Sequence, residues 1–171
     1  MRAIVCGLLL LAGCTASYKV DNLGGTAGTT RLDREKGVYV TVPGDGTYEA
    51  KTYAGSGQRV AQAVGAAFAR SANQVHVAEA RADLDEALKS AKKLGAGYVV
   101  VPTIAHWEQR ATEWSGRPSR MAIRISIVDA ATGKQIAATS VLGRSRIVSF
   151  TSTSPESLLR DPLAQYVGGL Y

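Results

Sequence analysis

Hydrophobic and polar positions alternate most regularly between Arg120 and Ala130. Met121, Ile123, Ile125 and Ile127 share one face there, and Arg120, Arg124 and Ser126 share the other. A period of two predicts a half-buried strand. Thr132-Gly133 reads as a hairpin turn, with Lys134 to Phe150 as the returning strand. Upstream, Tyr98 to Pro102 is continuously apolar, the pattern of a strand covered on both faces, and is expected to run on to about Arg110. Gly37 to Pro43 and Gln74 to Ala78 are shorter β-rich runs. Between the strands the period changes. Val60, Val64, Ala67 and Phe68 make a helical stripe over residues 57–72. Leu84, Ala87, Leu88, Ala91 and Leu94 make a second, with Asp83 and Glu86 spaced as a capping box and Gly95 as the stop. Ser154-Pro155 and Asp161-Pro162 are both helix starts, so the last helical region is expected to be broken between them.

The predicted order is β-α-β-α-β-β-β-α, an α/β (α+β) domain built on a single mixed sheet. Right-handed crossovers through the two helices make the first three strands parallel, and the last two form an antiparallel hairpin extension.

The amino terminus follows a different pattern. Met1-Arg2 is a minimal positive region, and Ala3 to Leu11 an apolar run too short to span a bilayer. The run ends Leu11-Ala12-Gly13-Cys14, which looks like the lipobox of bacterial lipoproteins. Small residues before the cysteine admit the lipoprotein signal peptidase, and the thiol carries diacylglycerol through a thioether. Residues 1–13 are therefore read as a lipoprotein signal peptide, and Cys14 as the lipidated first residue of the mature chain. Residues 14–36 are read as the lipidated cysteine and its tether, and 37–171 as a periplasmic α/β domain. Thr15 to Lys36, rich in Gly, Thr and Asn, reads as a flexible linker of ~26 Å root-mean-square span. Thr15, where an aspartate would resemble an inner-membrane retention signal, points to the outer membrane, facing the periplasm.

Composition narrows the function classes. A domain of 135 residues with 46% hydrophobic and 20% charged residues overall supports one core. Of the two cysteines, Cys6 leaves with the leader and Cys14 carries lipid, so no disulfide or thiol ligand set is expected. The formal charge of +6 falls to +5 once Arg2 is removed. That excess suits an anionic envelope component, and the compartment disfavours nucleic acid.

The segments Lys51 to Gly57, Val99 to Ile104, His106-Trp107-Glu108 with Arg110 to Pro118, Val128-Asp129 with Ala131-Thr132-Gly133, and Tyr166 to Tyr171 resemble a family of small proteobacterial lipoproteins, common in pseudomonads, whose shared domain is of unknown function. The resemblance spans essentially the whole domain and implies a lipoprotein without implying an activity. At the level of fold alone, the strand order is similar to the amino-terminal domain of the Tol-system propeller protein. It is similar too to the curli secretion lipoprotein and to the lipoprotein activators of penicillin-binding proteins.

The densest cluster of chemistry is residues 106–118, which hold both tryptophans, His106, Glu108, Glu113, Arg110 and Arg117. Tryptophan and arginine together in an exposed connection are typical of interface anchors. For Trp107 an anchor and a core residue are equally good readings; Trp114 and Arg117 point to binding. Ligands in open sheets bind beyond the carboxyl ends of parallel strands. That edge should gather Lys51, Arg110, Arg117, Arg120, Arg144 and Arg146 into a basic surface for an anionic or protein partner. Ser56, within Gly55-Ser56-Gly57, fits a helix N-cap better than a phosphate loop. His76 and His106 lack metal-ligand spacing, so neither a metal nor another cofactor is expected. His106 and Glu108 fall on one side of a strand, where acid–base chemistry is conceivable. The leading expectation is a non-enzymatic binding or adaptor module in the cell envelope. The alternatives are a subunit of a homo-oligomeric envelope or secretion assembly, and an envelope hydrolase using His106 and Glu108.

Overall fold

The computed structural model of the chain describes residues 17–24, 30–108, 119–144 and 158–171. The leader and Cys14 lie outside these residues, as do positions 109–118 and 145–157. The elements are β1 (Ser17–Gly24), β2 (Gly37–Val40), β3 (Thr47–Tyr48), β4 (Lys51–Thr52), α1 (Ser56–Phe68), β5 (Val75–Val77), α2 (Leu84–Lys93), β6 (Ala96–Glu108), β7 (Arg120–Asp129), β8 (Gln135–Arg144) and α3 (Arg160–Gly168). A mixed sheet runs in the order β1-β8-β7-β6-β2-β5, with β3 and β4 as a separate small hairpin. β2 pairs in parallel with both β5 and β6, while β6, β7 and β8 pair antiparallel. Three parallel strands extended by an antiparallel hairpin is the predicted arrangement.

Periodicity located the core well. Met121, Ile123, Ile125 and Ile127 of β7 are buried on one face of the sheet beneath α1 and α3. Val60, Val64, Ala67 and Phe68 meet them from α1, and Leu163 and Val167 from α3. A smaller cluster lies on the opposite face, where Ala87 and Ala91 of α2 pack near Tyr39, Val99 and Val128. The ends of α2 follow the sequence. The Asp83 carboxylate accepts a 2.8 Å hydrogen bond from the Glu86 N–H. Gly95, at φ 71°, takes the left-handed conformation that lets the chain turn straight into β6.

Two expectations are corrected. The stretch read as a flexible tether is largely structured: Ser17–Gly24 forms β1, antiparallel to β8 from the Ser17–Arg144 pair onward. Tyr18 and Val20 alternate with Lys19 and Asp21, the period of a strand, and Thr139 Oγ1 donates to the Asp21 carbonyl at 3.0 Å. Further along, Leu32 is buried in the core and its N–H donates to the Leu170 carbonyl at 2.7 Å. The loop 44–57 also carries more order than predicted, since β3 and β4 fold within it. Of the last predicted strand, residues 145–150 lie outside the described residues, as does the Ser154-Pro155 helix start. Asp161-Pro162 falls in the first turn of α3, as expected of a proline.

Candidate functional site: an uncovered sheet face

The face opposite α1 and α3 is only half covered. α2 lies over one end of it, and the other end, formed by β1, β8, β7 and the last residues of β6, carries no helix among the described residues. Register arranges its side chains as a grid. Ser17, Arg144, Arg120 and Glu108 are successive cross-strand partners in the outermost row. Lys19, Leu142, Ala122 and His106 form the next, and Asp21, Ser140, Arg124 and Thr103 the third. Within the first two rows lies an open groove of about 440 Å³. Ala122 and Leu142 form its floor, and Lys19, His106, Arg120 and Arg144 its rim. Leu142 is 41% exposed, which is unusual for a leucine in mid-strand.

The charge here is mostly positive. Lys19 pairs with Asp21 at 3.0 Å. Arg120, Arg124 and Arg144 are exposed and make no hydrogen bond or ion pair among the described residues. His106 Nε2 lies 3.3 Å from Glu108 Oε2, with the histidine side chain 43% exposed and the glutamate 7%. The edge of the Tyr48 ring closes on His106 at 5.7 Å between centroids.

A β-bulge at Ala105 sets which residues reach this face. Before it, Tyr98, Val100 and Ile104 point into the main core; after it, Trp107 does, and the half-exposed His106 and the buried Glu108 lie on the opposite face. Trp107 is therefore fully buried, opposite Met121 and against Tyr53, with its indole N–H lacking a hydrogen-bond partner among the described residues. Of its two readings, the core reading is the one observed, and Trp107 cannot itself anchor a partner.

Lys51 does not join the groove. Its ammonium lies 4.8 Å from the centre of the Tyr53 ring, on the hairpin side of β6. Ser56 is not the N-cap of α1 either. Gly55 holds that position, and the buried Ser56 hydroxyl accepts from the Gly46 N–H at 2.8 Å. The helix start is capped instead by Asp45, whose carboxylate accepts from the N–H groups of Gly57 at 2.8 Å and Gly55 at 3.1 Å. The Gly57 bond, above all, holds the Asp45 carboxyl below its ordinary value. The anion that this Gly-Ser-Gly segment could hold is thus supplied by the chain itself.

Arg110, Glu113, Trp114, Arg117 and Arg146 lie outside the described residues. Of the predicted site, the structure brings together Glu108, Arg120 and Arg144. It adds Lys19, Ala122, Arg124 and Leu142, none of which the sequence singled out. No group of three or more His, Cys, Asp or Glu gathers among the described residues, and no helix among them is long and apolar enough to cross a membrane.

Solved structures share the fold. One is the PelC dodecamer from Paraburkholderia phytofirmans, with a TM-score of 0.65 at 18% identity over 90% of this chain and 97% of that one. A variant of the same dodecamer in another crystal form superposes with a TM-score of 0.64 at 16% identity, covering 91% and 98% of the two chains. Lipoprotein GNA1162 from Neisseria meningitidis gives a TM-score of 0.48 at 12% identity, over 78% of this chain and 98% of its own. No curated protein matches at the level of sequence. Residues 30–170 match the family described as a domain of unknown function (DUF4823), and the chain belongs to that family.

Proposed function

We propose that this protein is a lipid-anchored component of the bacterial envelope, whose α/β domain is a non-enzymatic binding module for an anionic partner. The observation that carries this reading is the groove floored by Ala122 and Leu142 and rimmed by Arg120, Arg144 and Lys19. An apolar strip that no described helix covers, beside two arginines without a partner among the described residues, suits a ligand that is negative at one end and apolar elsewhere. Leu11-Ala12-Gly13-Cys14 supports the anchor, and Thr15 supports residence at the outer membrane.

The anchor is tested by labelling cells with a palmitate analogue and washing membranes in high salt. The full-length chain should stay in the membrane with label, and Cys14→Ala should lose both. Retention of that variant after the wash would overturn the anchor. The binding surface is tested in cells with a photo-crosslinking residue at position 142 and, as control, at position 89 of α2. A discrete adduct from position 142 alone supports the module. Adducts of equal yield from both, or none from position 142, would refute it.

A second reading, self-assembly, is favoured by the shared fold with PelC, which is a dodecamer. Light scattering of the detergent-solubilised lipoprotein distinguishes the two, since a ring would give a mass many times that of one chain. The hydrolase alternative would use His106 as base, oriented by Glu108. The groove residues beside that pair include no hydroxyl or thiol nucleophile. Turnover that is abolished by His106→Ala would establish this alternative.

A further inference from the structure

We infer that the basic rows of the uncovered sheet face are a membrane-docking surface, with anionic phospholipid headgroups as the partner of the groove. The inference rests on the reading of Cys14 as the lipid anchor. Only Thr15 and Ala16 separate Cys14 from Ser17, where β1 begins, so the chain enters the sheet within ~10 Å of the anchored cysteine. Ser17 pairs with Arg144, and Arg144 pairs with Arg120. Strands lie ~4.8 Å apart, so both arginines stand within ~10 Å of Ser17 along the row. Lys19 sits one row farther along β1. A lipid on Cys14 therefore brings this end of the sheet down onto the bilayer surface.

Charge and shape agree with that placement. Lys19, Arg120, Arg124 and Arg144 face Asp21 and Glu108 across the three rows, leaving the surface positive. Asp21 is taken by Lys19 and Glu108 by His106, while the three arginines have no partner among the described residues and can receive an outside anion. A surface potential decays over ~8 Å at physiological ionic strength, so only cations held this close to the headgroups feel it strongly. Guanidinium groups suit phosphate because their donors form a planar fork. Leu142 and Ala122 between them offer an apolar strip at the depth of the glycerol backbone. One acyl anchor class gives position, and the basic rows give orientation: the domain is held with α2 away from the bilayer rather than tumbling on a leash.

The test uses the chain from Thr15 to Tyr171 without lipid. Every described element and both core clusters lie in that stretch. Sedimentation with phosphatidylcholine vesicles is compared with sedimentation with vesicles containing about one third phosphatidylglycerol. Binding is expected to the second only, and to weaken with added salt. The double variant Arg120→Glu/Arg144→Glu should lower the partition coefficient by about tenfold or more. Lys89→Glu/Lys92→Glu, on the exposed side of α2, carries the same charge change and should alter it by less than about twofold. Arg120→Gln/Arg144→Gln serves if the charge reversal unfolds the protein, as judged by circular dichroism. Absence of binding, equal binding to both vesicle types, or equal losses from the sheet and α2 variants would each overturn the inference. The palmitate-labelling test bears only on the anchor, so the two readings fail separately.

Discussion

Asp45 is the residue whose role is most completely determined by its contacts. The first N–H groups of α1 have no partners within the helix, and this carboxylate returns from twelve positions upstream of Gly57 to accept two of them. Asp45→Ala should lower stability by about 0.5–1 kcal/mol, the small end of a cap's effect because the carboxylate is solvent-exposed. Its carboxyl is held below the ordinary 3.8, so the stabilisation is fully present above that pH and is lost as pH falls through the folded-state value. Denaturation of the two proteins should therefore differ most near neutrality and converge below about pH 3.8. A gap that persists in acid would contradict the capping role. Next to it, Gly46 faces the indole so closely that an added Cβ would stand 2.5 Å from the Trp107 Cβ. Gly46→Ala should cost about 1–3 kcal/mol by overpacking and shift the tryptophan emission, whereas a neutral melt would show that the hairpin can slide aside. At this scale the sequence was only partly legible. Gly55-Ser56-Gly57 marked a helix start, but its nearest oxygen, Ser56, was the obvious cap and Asp45 was not. The partner comes from a loop whose return path depends on tertiary packing.

β6 shows why strand periodicity mislocates side chains when a single residue is added. Counting in twos from Val99 and Val101 places Trp107 on the α2 side and His106 and Glu108 in the main core. Ala105 reverses that parity, burying the indole and exposing the histidine. A bulge has no sequence mark when the extra residue is an alanine, so the two readings of Trp107 could not be separated beforehand. Deleting Ala105 should leave the indole buried and the histidine outside, because the ladder then runs unbroken from the Ile104–Ile123 pair to the His106–Ala122 pair. An unshifted tryptophan spectrum and a cooperative melt are expected, and a red-shifted indole with loss of near-ultraviolet circular dichroism would refute the assignment. β7 and α2, by contrast, were legible almost to the residue, because each buries one uninterrupted stripe, while α1 ends at Phe68, four residues short of the expected 72, and of β8 only the start, at Gln135, meets its expectation. β1 was hidden for another reason: its alternation of Tyr18 and Val20 with Lys19 and Asp21 is short and is embedded in Gly- and Thr-rich chain. Its removal is instructive in turn. Without residues 15–24, β8 would become an edge strand with unpaired backbone groups and an exposed Leu142. The truncated domain should self-associate in sizing experiments while the longer one does not gain mass through that edge.

For the whole molecule, the short path from Cys14 to β1 changes what the proposed anchor would do. A flexible tether of the predicted length would have uncoupled the domain from the bilayer, leaving any orientation open. With β1 starting at Ser17, the chain between it and Cys14 is shorter than the domain, and the proposed anchor would select an end of the sheet. This can be tested by restoring the slack. In the full-length chain, a fluorophore on Leu142→Cys should be quenched by headgroup-labelled lipid more than one on Lys89→Cys. The body of the protein has no other cysteine beyond Cys14, so labelling is site-specific. Inserting about 20 Gly/Ser residues before Ser17 adds ~25 Å of root-mean-square reach, several times the distance over which the surface potential acts. If the anchor alone sets the orientation, the insert should bring the two quenching values together. If the basic rows hold the face down by themselves, position 142 should remain the more quenched at low salt, and the difference should vanish as salt is raised. Equal quenching at both positions in the native protein would exclude a fixed orientation altogether. The groove would then face the periplasm, where only a soluble or opposing partner could fill it.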